Sequence, residues 1–231
     1  MSRTDELVHE AKEALLQNYK QPPMVLVRGS GSELWDAEGK RYLDLIAGIA
    51  TCCLGHCHPA VTAAAKKQLD SLWHASNVFY TEPSIHLADR LTKAHGLPGA
   101  RAFFCNSGAE ANEALIKLAR RYQHAVKGEK DRFDIITFEG GFHGRTLATV
   151  TATAQPKYQA GFEPLPQGFT YAKLGDLEGV KKLVSKKTVA ILIEPIQGEG
   201  GVKPAPEGFL KALRELCDAS GALLLIDEVQ T

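Results

Sequence analysis

FFCNSGAEANEALIKLARRY, residues Phe103–Tyr122, reads as a strand, a tight turn and an amphipathic helix. The apolar run Arg101–Cys105 predicts a strand, and Asn106-Ser107-Gly108 breaks it. Ser107 and Glu110 have capping-box spacing at the start of a helix expected over Ala109–Val126. Ala111, Ala114, Leu115, Leu118 and Tyr122 form its expected inner stripe, and Glu113 and Lys117 an expected i,i+4 ion pair. A glycine at such a helix start lets an anion approach the free amides of the first turn. The pattern fits equally a strand–turn–helix corner that binds nothing.

The same alternation recurs along the chain. Ile135–Phe138, Val189–Ile193 and Leu223–Ile226 are short apolar strand candidates, and Glu207–Ala219 is a helix candidate. Leu147–Thr151 suits either state. Pro59 and Pro83 each suit the first turn of a helix. Short strands alternating with helices predict an α/β fold, a mostly parallel sheet with helices on both faces. Ahead of it, Ser2 and Asp5 cap a helix expected to reach about Asn18. Val25–Val27, Leu34–Trp35 and Tyr42–Leu45 predict a small antiparallel meander, with turns at Gly29-Ser30-Gly31 and Asp36-Ala37-Glu38-Gly39. The expected division is 1–55, the N-terminal helix and meander, and 56–231, the larger α/β domain.

The averages restrict function. The 231 residues carry 27 Lys+Arg against 27 Asp+Glu, which leaves no basic footprint for nucleic acid or an anionic membrane. No apolar run approaches the roughly 18 residues that span a bilayer. The start, MSRTDELVHE, has no apolar core of a signal peptide, and five cysteines without framework spacing suit a reducing, cytoplasmic setting. Cys52, Cys53, His56, Cys57 and His58 are too closely spaced to close a tetrahedron, so no metal is expected. The chain stops at ALLLIDEVQT, directly after a buried-type strand, and is expected to be the N-terminal portion of a longer, here truncated, protein.

Two further segments place polar groups where parallel sheets bind ligands, beyond the carboxyl ends of their strands. FEGGFHGRTL sets glycines around Phe142, His143 and Arg145; alone it reads first as a glycine-rich surface loop, and otherwise as an aromatic for a planar ring beside a guanidinium for a carboxylate. Asp227, at the end of the last strand, can accept from a protonated heterocycle or simply cap a helix after the strand.

NSGAEANEA, GFHGRT, EPIQGEGG and LLIDEVQ in this order, with LGHCHP at Leu54–Pro59 and SNVFYTEP at Ser76–Pro83, resemble the class III (ω-type) aminotransferases across essentially the whole chain. The resemblance implies the type I fold of pyridoxal phosphate (PLP) enzymes, with 1–55 part of the small domain and 56–231 an incomplete cofactor-binding large domain. Within the class, SNVFYTEP, LGHCHP and Ile49 favour the acetylornithine branch. That branch moves the δ-amino group of N-acetylornithine to 2-oxoglutarate in arginine synthesis, and some members serve succinyldiaminopimelate in lysine synthesis. The alternatives are an ornithine- or 4-aminobutyrate-type ω-aminotransferase, or a non-catalytic PLP- or partner-binding module.

Carried over residue by residue, the resemblance implies Gly108 and Ala109 as the phosphate cup with Ser107 supporting the turn. It implies Phe142 and Val229 on the two faces of the ring, Asp227 on the ring nitrogen and Gln230 on the ring hydroxyl. It further implies Arg145 on the substrate α-carboxylate, Glu199 as a gate that pairs with a second arginine, and Glu194 in support. The family's Schiff-base lysine and second arginine have no counterpart in these residues, so the 231 residues alone are expected to be inactive. The expected partners are amino-acid substrates and, for the complete protein, a second copy in a homodimer.

Overall fold

The computed structural model describes residues 1–231, which divide into two compact units, Met1–Ala94 and His95–Thr231. The pattern change near residue 55 lies inside the first of them.

In the first unit, helix α1 (Arg3–Ala14) opens with a reciprocal cap. The Ser2 hydroxyl accepts from the Asp5 amide at 3.1 Å, and the Asp5 carboxylate accepts from the Ser2 amide at 3.0 Å. It ends at Ala14 instead of Asn18. Leu15 turns extended, and the Gln17 side chain donates from Nε2 to the Ala11 carbonyl at 3.4 Å and to the Leu15 carbonyl at 2.8 Å, the latter a group a further turn would have used. Strands β1 (Leu26–Ser30), β2 (Glu33–Asp36) and β3 (Arg41–Leu43) form the expected antiparallel meander. Its second turn is fixed by Asp36, whose carboxylate accepts from the amides of Glu38 at 3.0 Å and Lys40 at 2.9 Å and from the Tyr42 hydroxyl at 2.7 Å. A left-handed turn, α2 (Ala47–Ala50), comes next, with Ile49 at φ 62°, a strained angle for a β-branched residue. The His56 imidazole pairs with Asp44 at 2.6 Å, so the Cys/His cluster has a packing role at that histidine. Helices α3 (Pro59–Leu69) and α4 (Glu82–His95) carry Pro59 and Pro83 in their first turns, as expected.

The second unit holds α5 (Gly108–Ala125), β4 (Asp134–Phe138), α6 (Leu147–Ala152), α7 (Pro156–Gln159), β5 (Phe169–Ala172), α8 (Leu177–Leu183), β6 (Thr188–Ile193), the short pair β7 (Ile196–Gln197) and β8 (Lys203–Pro204), α9 (Phe209–Ser220) and β9 (Leu223–Ile226). The main sheet has order β5-β4-β6-β9, every pair parallel. Side chains alternate between its faces. Ile136, Phe138, Ile191 and Ile193 pack with Val180 of α8 and Phe209, Leu213 and Cys217 of α9. Ile135, Ala190 and Leu192 pack with Ile116 and Ala119 of α5 and Ala152 of α6. Helices therefore cover both faces, and four carboxyl strand ends open at one edge, as the type I expectation requires.

Two expectations for the second unit are corrected and one left open is settled. Arg101–Cys105 is not a strand: its backbone joins no ladder, and Phe103 is 72% exposed. Leu147–Thr151 resolves as helix. The inner face of α5 is Asn112, Ile116, Ala119 and Gln123, one position off the apolar stripe, with Leu118 66% exposed. Two polar side chains occupy that face because each finds an acceptor there; Gln123 donates to the Gly221 carbonyl at 3.0 Å. Strand β5 and helix α8 had no expectation. No helix of the chain is long and apolar enough to cross a membrane.

Candidate active site

Asp227 comes directly after β9, and its amide donates to the Ile193 carbonyl at 2.8 Å, which fixes it at the carboxyl edge of β6 and β9. It is 5% exposed. One oxygen, Oδ2, accepts from His143 Nδ1 at 2.7 Å and from Asn112 Nδ2 at 2.8 Å. The other, Oδ1, accepts from the Val229 amide at 3.1 Å. Burial pushes the carboxyl up, but the His143 bond and charge, the Val229 amide and Asn112 outweigh it and hold Asp227 below the ordinary carboxylate value. An ionised carboxylate only accepts, so His143 carries its proton on Nδ1. Asn112 also donates to the His143 carbonyl at 3.0 Å. One carboxylate thus ties together α5, the loop after β4 and the end of β9.

Glu194, after β6, is 5% exposed and supports the same loop. It accepts from the Phe142 amide at 2.9 Å and the Gly198 amide at 3.3 Å. Burial raises its carboxyl above the ordinary value, and those amides with the nearby His143 only partly offset this.

At the start of α5, the Ser107 hydroxyl accepts from the Glu110 amide at 3.1 Å. The reciprocal half of the expected capping box is absent, because the Glu110 carboxylate accepts from the Asn106 amide at 2.6 Å and from its side chain at 3.0 Å. The expected Glu113–Lys117 pair is also absent; Glu113 accepts from the Thr146 hydroxyl at 2.5 Å, linking α5 to α6. The amides of Gly108 and Ala109 lie in the first turn, where a helix supplies no partner and presents its positive end. A Cβ on Gly108 would stand 2.9 Å from a Val229 methyl, so the segment after β9 packs against this helix start. A Cβ on Gly198 would stand 3.3 Å from the Gln230 side chain, which places Gln230 beside the turn after β7.

Arg145 and Glu199 meet through a residue the motifs did not single out. The Arg145 guanidinium lies 4.1 Å from the Tyr158 ring centroid and 5.5 Å from that of Phe142. Phe142 and Tyr158 stack edge to face at 5.7 Å. The Glu199 carboxylate accepts from the Tyr158 hydroxyl, from Gln155 Nε2 at 2.7 Å and from Lys157 Nζ at 3.4 Å. Burial raises Glu199, but these three donors prevail and lower it below the ordinary value.

The structure therefore draws the candidate residues into two groups. Ser107, Gly108, Ala109, Asp227 and Val229 gather where α5 meets the end of β9. Phe142, Arg145 and Glu199 gather on Tyr158, and Glu194 joins the groups through the Phe142 amide. Sequence reasoning assigned no role to Asn112, Gln155 or Tyr158 and none to His143 beyond its motif. An asparagine four residues before Ile116, on a face that proves buried, was the one available signal.

Compared with known proteins, residues 15–231 match the model of the family described as Aminotransferase class-III. The chain is 66% identical over 230 residues to the acetylornithine aminotransferase of Myxococcus xanthus, covering 100% of this chain and 57% of that protein. The crystal structure of N-acetylornithine aminotransferase from Stenotrophomonas maltophilia superposes with a TM-score of 0.76 at 40% identity, covering 95% of this chain and 52% of that one. The ornithine aminotransferase of Toxoplasma gondii, with PLP at partial occupancy in its active site, superposes with a TM-score of 0.92 at 30% identity, covering 99% and 54%. The chain thus spans a little over half the length of these relatives. A family match across more than nine-tenths of its residues, on a parallel sheet with polar groups gathered at its carboxyl edge, establishes that the chain belongs to the class-III aminotransferases.

Proposed function

We propose that the complete protein is a PLP-dependent aminotransferase that moves the δ-amino group of N-acetylornithine to 2-oxoglutarate in arginine synthesis. The observation that carries this reading is Asp227, a buried carboxylate kept ionised at a strand end by His143 and Asn112. An anion so placed suits a protonated ring nitrogen. The rest of the donor set agrees: two first-turn amides at Gly108 and Ala109 for a phosphate, with Ser107 holding the turn, and the Phe142 ring as an aromatic face. The pyridoxal group, when bound, supplies the electron sink for amino-group transfer.

In this reading Asp227 keeps the ring nitrogen protonated, Phe142 and Val229 bracket the ring, and Gln230 bonds its hydroxyl. Arg145 binds the substrate α-carboxylate, which must lie far from the reacting δ-amine. Glu199 is the gate that pairs with a second arginine when the amino donor is bound, and Glu194 holds the Phe142 loop. The substrate assignment follows the acetylornithine aminotransferases, to which identity reaches 66%, ahead of the ornithine type at 30%.

Residues 1–55 are assigned to the small domain of the whole protein and 56–231 to its cofactor-binding domain. The working form is a cytoplasmic homodimer, and the 231 residues alone do not turn over, since the Schiff-base lysine has no counterpart among them. Steady-state assay of the full-length protein with 2-oxoglutarate and each of N-acetylornithine, ornithine and 4-aminobutyrate tests the function. A kcat/KM for N-acetylornithine about tenfold or more above the others is expected; a preference for ornithine or 4-aminobutyrate contradicts it.

A further inference from the structure

We propose that Asn112 is a positioning residue that fixes the orientation in which the Asp227 carboxylate meets a protonated ring nitrogen, and that it acts from the same helix whose first turn supplies the phosphate-binding amides. The inference rests on the assignment of Asp227 as the ring-nitrogen partner.

The residues involved are buried by these 231 residues alone: Asn112 and His143 are each 2% exposed and Asp227 is 5% exposed. The Asn112 side-chain nitrogen donates to Asp227 Oδ2 at 2.8 Å and to the His143 carbonyl at 3.0 Å, so both its N–H groups are engaged. His143 Nδ1 donates to the same Oδ2 at 2.7 Å. A carboxylate oxygen offers two lone pairs, and two donors converging on Oδ2 fill both and set the rotation of the carboxylate about its Cβ–Cγ bond. Oδ1, which accepts from the Val229 amide at 3.1 Å, is in this reading the oxygen that receives the ring N–H.

The place of Asn112 in the chain gives the bond a second effect. It lies four residues after Gly108 and three after Ala109 in α5, one turn further along, which in an α-helix is a rise of about 5–6 Å. Consecutive helical turns move as one body, so the position of the phosphate amides is carried to Asp227 through Asn112. His143 reaches Oδ2 from the loop after β4, and its bond leaves α5 out. Asparagine is a poor helix former and costly to bury unless its amide is bonded. Uncharged, it contributes direction to the carboxylate and no ion pair.

The test uses the full-length protein, freed of cofactor and reloaded with PLP or with its 1-deaza analogue, in which a C–H group replaces the ring nitrogen. Kd is measured by absorbance titration for the wild type, Asn112→Leu, Asn112→Ala and Asp227→Asn. The wild type is expected to bind PLP about tenfold or more tightly than the analogue, the worth of one hydrogen bond to a charged group. Asn112→Leu, similar in size but without a donor, is expected to shrink that preference about threefold or more, with the Kd of PLP rising more than that of the analogue. Asn112→Ala is expected to act in the same direction, and it serves if the leucine variant does not fold. A preference that the Asn112 variants keep, even if both Kd values rise together, shows that Asn112 only packs and overturns the proposal. Asp227→Asn separates the two claims. If it keeps the wild-type preference, or the wild type has none, the ring-nitrogen assignment fails. The crystal structure of the Asn112 variant then decides the positioning role, which stands if Oδ1 has left the Val229 amide, beyond a hydrogen-bond reach of about 3.5 Å, and falls if Asp227 keeps its bonds to both Val229 and His143.

Discussion

Asp227 illustrates how a residue that looks like an ordinary helix cap becomes a candidate ring partner through its neighbours. Its Oδ2 is saturated by His143 and Asn112, while Oδ1 accepts only one backbone amide, at 3.1 Å, and keeps acceptor capacity. Replacing Asp227 by Asn in the full-length enzyme removes the charge with little change of shape. We expect kcat to fall about a hundredfold or more, because the effect falls on the charge-developing step. Cofactor affinity, followed by absorbance titration, is expected to change far less. Loss of affinity equal to the loss of kcat speaks against the assignment. The same carboxyl has a stability signature. Its folded value lies below the ordinary 3.8, so its contribution is fully present above pH 3.8 and is lost as pH falls below it. Glu194 acts oppositely: its folded value lies above 4.5, so its contribution grows as pH falls from that raised value towards 4.5. In urea unfolding, the stability difference between wild type and Asp227→Asn should therefore be flat above about pH 4 and shrink below it. A difference that grows on acidification contradicts the ionised form. The motifs located Asp227, Phe142 and Arg145 in the sequence, but Tyr158 was illegible and Asn112 left only its spacing from Ile116. An asparagine inside a helix ordinarily faces water, and only the arrival of Asp227 from 115 residues away makes the buried position favourable.

At the scale of elements, the alternation of strands and helices in the second unit was readable because parallel strands covered on both faces are nearly uniform in apolar character. Val189–Ile193 is the clearest instance, with every residue of β6 buried. Arg101–Cys105 is likewise apolar from Ala102 onward yet joins no ladder, since a strand is made by its neighbour and not by its own residues. The apolar stripe of α5 misled by one position for a related reason, as the helix turns towards its hydrogen-bond partners Asp227 and Gly221. Between α5 and α6 the approach is close enough to test. Gly144 has φ +130°, and a Cβ there would stand 2.7 Å from both the Ala109 Cβ and the Thr149 hydroxyl. Gly144→Ala is expected to cost about 2–4 kcal/mol of stability through strain and overpacking together. Gly208, with φ +76° and nothing within 4 Å of its Cβ position, provides the comparison in the same unit. Gly208→Ala should cost only about 1 kcal/mol, the backbone penalty alone. Denaturant midpoints compare the two; equal losses show that the loop after β4 does not pack closely on the start of α5.

For the molecule as a whole, fold and family were legible together, because the ordered motifs fall at the ends of β4, β6 and β9, on the edge of a single sheet. The meander and its capped helix were equally plain, since their turns rest on local bonds such as those of Asp36. The order of motifs does not reveal that Arg145 lies over the Tyr158 ring, nor that the Tyr158 hydroxyl donates to Glu199. In the proposed function Arg145 receives the α-carboxylate of N-acetylornithine while the other amino donor, glutamate, relies on a different arginine. The pair of half-reactions of full-length Arg145→Lys, each followed by stopped-flow absorbance of the cofactor, tests this assignment. Lysine keeps the charge but loses the paired geometry, so the half-reaction with N-acetylornithine should lose about one to two decades in kcat/KM, equivalent to about 1.5–3 kcal/mol. The half-reaction with glutamate should be nearly spared. Equal losses for both donors, or no loss for either, contradict the account.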